Sequence, residues 1–284
     1  MIDLHTHSTA SDGALSPAAL IGKAAEEGLG AIALTDHDCL DGLDEARTAA
    51  SSIGMRFIAG IEIEIAFEPG EFHLLGLDLF DTRRPLRDAA ASLADSRERR
   101  NRAVLELFRD DGVELDYDEL RAKAGTGMIG RPHIASMLVE KRIVRSKQAA
   151  FDKYLAKGRP YYVRKACLEL PEALRVVKDS GGLAFVAHPM SLFASWKRLR
   201  ALFEEWKALG VDGIEAWHPT ARLVDCQRLD AMAREFGFRV SAADTLSPER
   251  QNELLQSALT AFDQAVAVSR ESPQKASELY RQAA

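Results

Sequence analysis

Only three residues in 284 are cysteine, Cys39, Cys167 and Cys226, and no two stand at CxxC spacing. That excludes a disulfide framework and a thiolate zinc knot, and it suits a reducing compartment. Long apolar runs are missing too. Nothing approaches the roughly 18 apolar residues of a spanning helix, and Met1 leads into Ile2-Asp3-Leu4-His5 without a basic then apolar leader. A cytoplasmic protein with no membrane partner is the expectation. Positive charge is not in excess either: Lys and Arg total 37 against 43 Asp and Glu, a net charge of -6. The overall field therefore disfavours a stable nucleic-acid partner, while a local basic patch remains able to hold a small anion. No internal repeat or low-complexity stretch is present.

What is there is alternation. Short apolar stretches at Ile2 to His7, Ala31 to His37 and Phe57 to Ile65 are separated by helical ones at Pro17 to Glu27 and Leu40 to Ser51. This pattern predicts βαβ units and a parallel sheet. Ser16-Pro17 supplies an N-cap with proline at the first helical position, and Gly28 follows the last turn. A strand at Phe72 to Leu79 closes this part. Charged, helix-forming sequence then predicts an α-helical insertion, with Val104, Leu107 and Phe108 at helical spacing. Strand signals return at Gly182 to His188, Gly213 to His218 and Phe238 to Asp244, separated by helical Leu192 to Leu209 and Ala221 to Phe236. The expected layout is a first barrel part over 1–84, a mainly helical insertion over 85–160, a second barrel part over 161–246 and a helical tail over 247–284.

Strand side chains alternate between faces, which places Asp3, His5 and His7 on one face and offers Asp3 as an acceptor orienting one imidazole. His37, His188 and Asp244 each close a predicted strand, and Glu62 and His73 lie within two more. In a barrel of parallel strands the C-terminal rim is where side chains from several strands converge. Ligand-type residues on five strands besides the first point to a metal site, imidazole being a common ligand of zinc, manganese and iron. Arg99 and Arg102 stand at i, i+3 on the insertion, and Arg131 and His133 sit in Gly130-Arg131-Pro132-His133. Planar guanidinium groups match phosphate oxygens. A pocket without convergent arginines would favour an amidohydrolase-like reading instead.

Asp3-Leu4-His5-Thr6-His7, Ser11-Asp12-Gly13, Thr35-Asp36-His37-Asp38, Gly60-Ile61-Glu62, His73-Leu74-Leu75-Gly76, Gly130-Arg131-Pro132-His133, Ala187-His188-Pro189 and Gly213-Ile214-Glu215 run in order along the chain. In these motifs the sequence resembles the PHP (polymerase and histidinol phosphatase) family, nearest its members that hydrolyse 3′,5′-bisphosphonucleosides or trim RNA from the 5′ end. The resemblance implies an α/β fold, a distorted (β/α)7 TIM-like barrel, with two or three divalent ions (Mn, Fe or Zn). It implies a small phosphorylated nucleotide or short oligonucleotide as substrate. His5 and His7 would share one metal with Glu62 and Asp244, Glu62 would bridge to a second held by His73 and His188, and Asp12 and His37 would belong to a third. Glu62, His37 and Asp36 are the catalytic candidates, and Arg99, Arg102, Arg131 and His133 the substrate contacts. The chain departs from the family where Ala242-Ala243-Asp244-Thr245-Leu246 replaces Gly-Ser-Asp-x-His, because leucine cannot ligate. The third site therefore lacks a ligand, and a degenerate protein binding metal or nucleotide with little turnover is the alternative. His218 reads as a satisfied rim histidine, or else as a substitute for the missing imidazole.

Overall fold

The computed structural model describes residues 2–82, 84–125 and 127–243. Asp244, Leu246 and the expected tail lie outside the described residues. The barrel half contains β1 (Ile2–Thr6), α1 (Pro17–Glu26), β2 (Ala31–Leu34), α2 (Leu43–Ile53), β3 (Arg56–Ile65) and β4 (Phe72–Leu77). The helices α3 (Leu86–Asp110), α4 (Tyr117–Ala124), α5 (Arg131–Glu140) and α6 (Lys147–Ala150) follow, α6 running into a π turn at Phe151–Leu155. Then come α7 (Leu170–Asp179), β5 (Leu183–Val186), a 3-10 turn at Pro189–Leu192, α8 (Trp196–Leu209), β6 (Gly213–Trp217), α9 (Leu223–Glu235) and β7 (Arg239–Ala242). The seven strands pair in sequence order, and β7 returns beside β1, so the sheet forms a distorted, nearly closed barrel.

The sheet is not wholly parallel, as the alternation predicted. β4 runs antiparallel to both β3 and β5. The reason is chain length: residues 66–71 join β3 to β4, and a parallel crossover needs roughly a dozen residues or more. Reversal has a useful consequence. His73, near the start of β4 and opposite Glu64, reaches the same rim as the C-terminal ends of the parallel strands.

A bulge also corrects the expected face of β1. Asp3 pairs with Ile32 and Thr6 with Leu34, so one extra residue of β1 is accommodated and the alternation shifts. Asp3 and Thr6 share the helix-facing side of Ile32 and Leu34. Ile2 and Leu4 join Ala31, Ala33, Leu75, Leu77, Phe185 and Ala187 in a core cluster with no helix residues, which is the barrel interior. β6 carries a matching irregularity between Glu215 and Trp217. Both irregularities sit where the strands reach the rim.

The insertion has its own core of Val104, Phe108, Leu120, Ile134, Leu138 and Leu155 among others. The N-terminal half of α3 belongs elsewhere: Leu86, Ala90 and Leu93 pack on the barrel. A single helix of 25 residues thus bridges the two cores, and a buried ion cluster fixes its middle. Asp38 Oδ2 accepts from Arg97 Nη2 and Lys165 Nζ, each at 2.5 Å, and Lys165 Nζ lies 3.2 Å from Glu64. Burial alone would raise the Asp38 carboxyl, but Lys165 and then Arg97 outweigh it and hold it far below the carboxylate range.

Replacing Asp38 with Asn removes the carboxylate shared by two buried cations and leaves Arg97 without its ion-pair partner, so Asp38→Asn should cost about 3–5 kcal/mol in urea denaturation. A native midpoint would contradict this. Because the folded pKa is lowered, the carboxylate's contribution is complete above its unfolded value of about 3.9 and is lost as pH falls below it. The gap between wild type and variant should narrow in acid.

Candidate metal centre

Glu62 is 1% exposed, and five of the seven histidines converge on it. His5 Nε2, His7 Nε2 and His37 Nδ1 lie 3.3, 3.3 and 2.8 Å from Oε2. His73 Nδ1 and His188 Nε2 lie 2.9 and 3.0 Å from Oε1. They arrive from β1, the turn after β2, the reversed β4 and the turn after β5. His188 adopts φ 25°, in the region that non-glycine residues rarely occupy. Its backbone N–H donates to Glu215 Oε2 at 2.6 Å.

Outer partners decide which ring nitrogens carry protons. His5 Nδ1 lies 2.9 Å from Glu215 Oε1, a buried carboxylate that can only accept. Nδ1 therefore carries the proton of the neutral ring, whose Nε2 then aims a lone pair at Glu62 Oε2. Ser191 Oγ donates to the Glu71 carbonyl at 2.7 Å, so it accepts from His188 Nδ1 at 2.9 Å, and His188 Nε2 aims its lone pair at Oε1. Lone pairs facing carboxylate oxygens at such distances repel unless protons or cations lie between them. Glu62 Oε2, fully enclosed, accepts no hydrogen bond of acceptable geometry. A donor set of imidazoles around one shared carboxylate is what zinc, manganese or iron takes, so the residues fit divalent ions.

The titration pattern shows the same demand for positive charge. Burial would raise Glu62, but His37, His73 and His5 hold it well below the carboxylate range. Burial would lower His5, yet Glu62 and Glu215 raise it well above its ordinary value. His73 is raised in the same way by Glu62. His7 is pushed down to about 3 by burial and by His37.

Of the residues singled out in the sequence, His5, His7, His37, Glu62, His73 and His188 come together as one cluster. Asp12 joins at its edge, 3.6 Å from His7 Nδ1 and 3.9 Å from His37 Nε2. Asp244 lies outside the described residues. Asp36 stands apart: its buried carboxylate accepts from Ser8 N, Ser8 Oγ and Ser11 Oγ at 2.7, 2.6 and 2.5 Å, which folds the 8–13 loop under the cluster. That loop tolerates only glycine at Gly13, where a Cβ would meet the His7 carbonyl oxygen at 2.2 Å. Asp3 Oδ1 accepts from the His5 backbone N–H at 3.1 Å, and the carboxylate that meets His5 Nδ1 is that of Glu215. Sequence reasoning passed over Glu215 as a site residue, although Gly213-Ile214-Glu215 repeats the Gly60-Ile61-Glu62 tripeptide.

The helix arginines expected as substrate contacts lie on the outer face of α3. Arg99 is exposed, and Arg102 is exposed, paired with Glu98 at 2.7 Å and stacked 3.9 Å over Tyr117. The inward residues are Arg97 and Arg100. Leu93, Arg97, Arg100, Val104 and Phe108 follow the three- and four-residue spacing of one buried face, a signal readable from the apolar residues alone. Arg97 Nη1 comes within 3.7 Å of the Cβ position of Gly130, and Arg97 Nε is buried without a partner. Arg100 is 5% exposed, and its Nε donates to Asn101 Oδ1 at 3.0 Å. Burial, Arg131 and Arg97 all press its guanidinium below its ordinary value. A guanidinium keeps its proton in proteins, so this position favours an anion. Arg131 and His133 open α5 beside them, with Gly130 N donating to His133 Nδ1 at 3.0 Å.

A nearly closed barrel with an imidazole–carboxylate cage at its rim and cationic side chains above it defines a metal-binding barrel protein. The chain belongs to the PHP family: residues 3–150 match the PHP domain. The 5′-3′ exoribonuclease of Haemophilus influenzae is 34% identical over 246 residues, covering 84% of this chain and 87% of that protein. The 3′,5′-nucleoside bisphosphate phosphatase of Chromobacterium violaceum is 32% identical over 242 residues, 85% of each. A solved structure described as an amidohydrolase from Chromobacterium violaceum, with bound sulfate and no metal, superimposes with a TM-score of 0.79 at 32% identity. It covers 86% of this chain and 87% of that one.

Glu215→Gln sets an amide N–H2 against either the His5 Nδ1–H or the His188 N–H. Manganese affinity by isothermal titration should fall about ten- to hundredfold with the fold retained; unchanged affinity would show that Glu215 does not orient the cage. Since His5 and His73 are raised, they hold protons that a metal must displace. Wild-type affinity should therefore climb as pH rises through and above 6.5, and a flat profile would contradict that assignment.

Proposed function

We propose that this chain is a metal-dependent phosphoester hydrolase acting on small phosphorylated nucleotides. The observation that carries the reading is a juxtaposition: a buried carboxylate ringed by five imidazoles lies beside buried guanidinium groups, one of which, Arg100, lacks enough negative charge. Arg97, which couples electrostatically to Asp12 and is bonded to Asp38, joins the two halves. An amide substrate would leave Arg100 uncompensated, whereas a phosphate would satisfy it. This separates the phosphoester reading from the amidohydrolase one.

His5, His7 and His37 on one side of Glu62, and His73 and His188 on the other, would hold divalent ions, with Asp12 at the edge and Asp244 as a further ligand. Such ions polarise a phosphoryl oxygen and lower the pKa of water so that it can attack at neutral pH. The protein's own part is positioning. Arg97, Arg100 and Arg131 bind and orient phosphate oxygens, and the Arg131 guanidinium is itself held 5.4 Å over the Tyr162 ring. His133, whose Nδ1 accepts from Gly130, turns an Nε2–H donor outward. Glu62 keeps its charge through the cycle because the surrounding imidazoles oppose protonation, and Asp36 keeps the 8–13 loop from spreading.

A second phosphate seated on the arginines would select a 3′,5′-bisphosphonucleoside or the 5′ end of a short RNA, in keeping with the names of the two curated relatives. Manganese is the metal we expect to support turnover, and the cytoplasm the place where it acts. A second reading, a binding protein with little turnover, is favoured by Leu246.

Manganese-loaded protein should release phosphate from a 3′,5′-bisphosphonucleoside, and chelation or Glu62→Ala should reduce release to background. Bound metal without release would favour the second reading. Arg100→Ala should raise KM about ten- to hundredfold, the loss expected for hydrogen bonds to a charged group, whereas Arg99→Ala should stay within about twofold. Equal effects would overturn the helical phase assigned to the phosphate contacts.

A further inference from the structure

His218 follows β6 at the rim and is the one cluster histidine that does not reach Glu62. Its ring lies 5.2 Å from that of His188 and 5.9 Å from that of His5. A ring nitrogen also stands within 4.8 Å of ligand atoms of His5 and Glu215, a triad of metal-binding types. Two members of that triad are already engaged. Glu215 Oε1 faces the His5 Nδ1–H, and Oε2 accepts the His188 N–H. The third is committed by its own turn: the Thr220 backbone N–H donates to His218 Nδ1 at 3.3 Å, and Thr220 Oγ1 lies 2.8 Å from the same nitrogen.

A backbone amide can only donate, so Nδ1 must accept, and the proton of the neutral ring resides on Nε2. This is the opposite tautomer to His5 and His188, whose Nδ1–H groups point outward and whose Nε2 lone pairs point at Glu62. Ligating a metal through Nε2 would move the proton to Nδ1, which would then face the Thr220 backbone N–H, donor against donor, and keep only the Thr220 hydroxyl as a partner. Nε2–H can donate to an anion lying over the cluster.

We propose that His218 is a substrate-binding residue, whose Nε2–H donates a hydrogen bond to a phosphate oxygen from the β6 side, opposite the arginines of the insertion. The assignment rests on the phosphoester reading above and specifies its geometry: the phosphate is held from two sides, by guanidinium groups on one and a neutral imidazole donor on the other. His133, pinned by Gly130 N in the same manner, is its counterpart on the insertion.

The test is equilibrium binding of inorganic phosphate to manganese-loaded protein, with metal content measured in parallel. Turnover is not required, so failure of hydrolysis and failure of this inference are separable. His218→Ala should weaken phosphate binding about tenfold or more with metal content unchanged. His218→Gln, whose amide nitrogen occupies the Nε2 position, should restore most of it, and His218→Asn should not. On metal-free protein, 15N NMR should show the Nε2–H tautomer. Loss of metal from His218→Ala, equal phosphate affinity in all variants, or an Nδ1–H tautomer would each overturn the proposal.

Discussion

A carboxylate buried at the centre of five imidazoles constrains the rest of this molecule. Removed from water, Glu62 needs positive charge, and no lysine or arginine among the described residues pairs with it directly; the nearest nitrogens belong to rings, two of which direct an Nδ1 proton to Glu215 and Ser191. Such a group is costly unless cations or protons complete it. The raised His5 and His73 and the depressed Glu62 are the protein's response in protons. Divalent ions would meet the same demand with more charge, and the surrounding backbone is arranged around that requirement.

Three departures from regular barrel geometry serve the cluster. The bulge in β1 turns His5 inward, where strict alternation from Ile2 and Leu4 would turn it away. The matching irregularity in β6 accompanies Glu215, which must reach His5 and His188 together. The reversal of β4 lets His73 enter from the start of a strand. His188 holds a left-handed backbone conformation for a related reason: at φ 25° its N–H meets Glu215 while its ring meets Glu62. Local strain is stored where several contacts over-determine it.

Much of this was legible in the chain. The seven strands and the helical insertion followed from apolar spacing and helix punctuation, and the ligand-type residues followed from where the strands end. What escaped notice depended on backbone detail that residue patterns do not report. A strand period of two gives no warning of a one-residue bulge, so Asp3 was placed on the face of His5. The reversal of β4 was implicit in the short link at 66–71, a length signal rather than a compositional one. Two arginine faces are legible on α3: Arg99 and Arg102 share the outer one, and Leu93, Val104 and Phe108 mark the buried face of Arg97 and Arg100. The charge network of Asp38, Arg97 and Lys165 joins residues too distant in sequence to suggest one another.

Glu62 is proposed to bridge two cation positions, one on each carboxylate oxygen. Anomalous diffraction from crystals soaked in manganese tests it most directly. The account predicts two anomalous peaks flanking the Glu62 carboxylate, one among His5, His7 and His37 and the other between His73 and His188. No peak within coordinating distance of Glu62 at full manganese occupancy elsewhere in the crystal would contradict it.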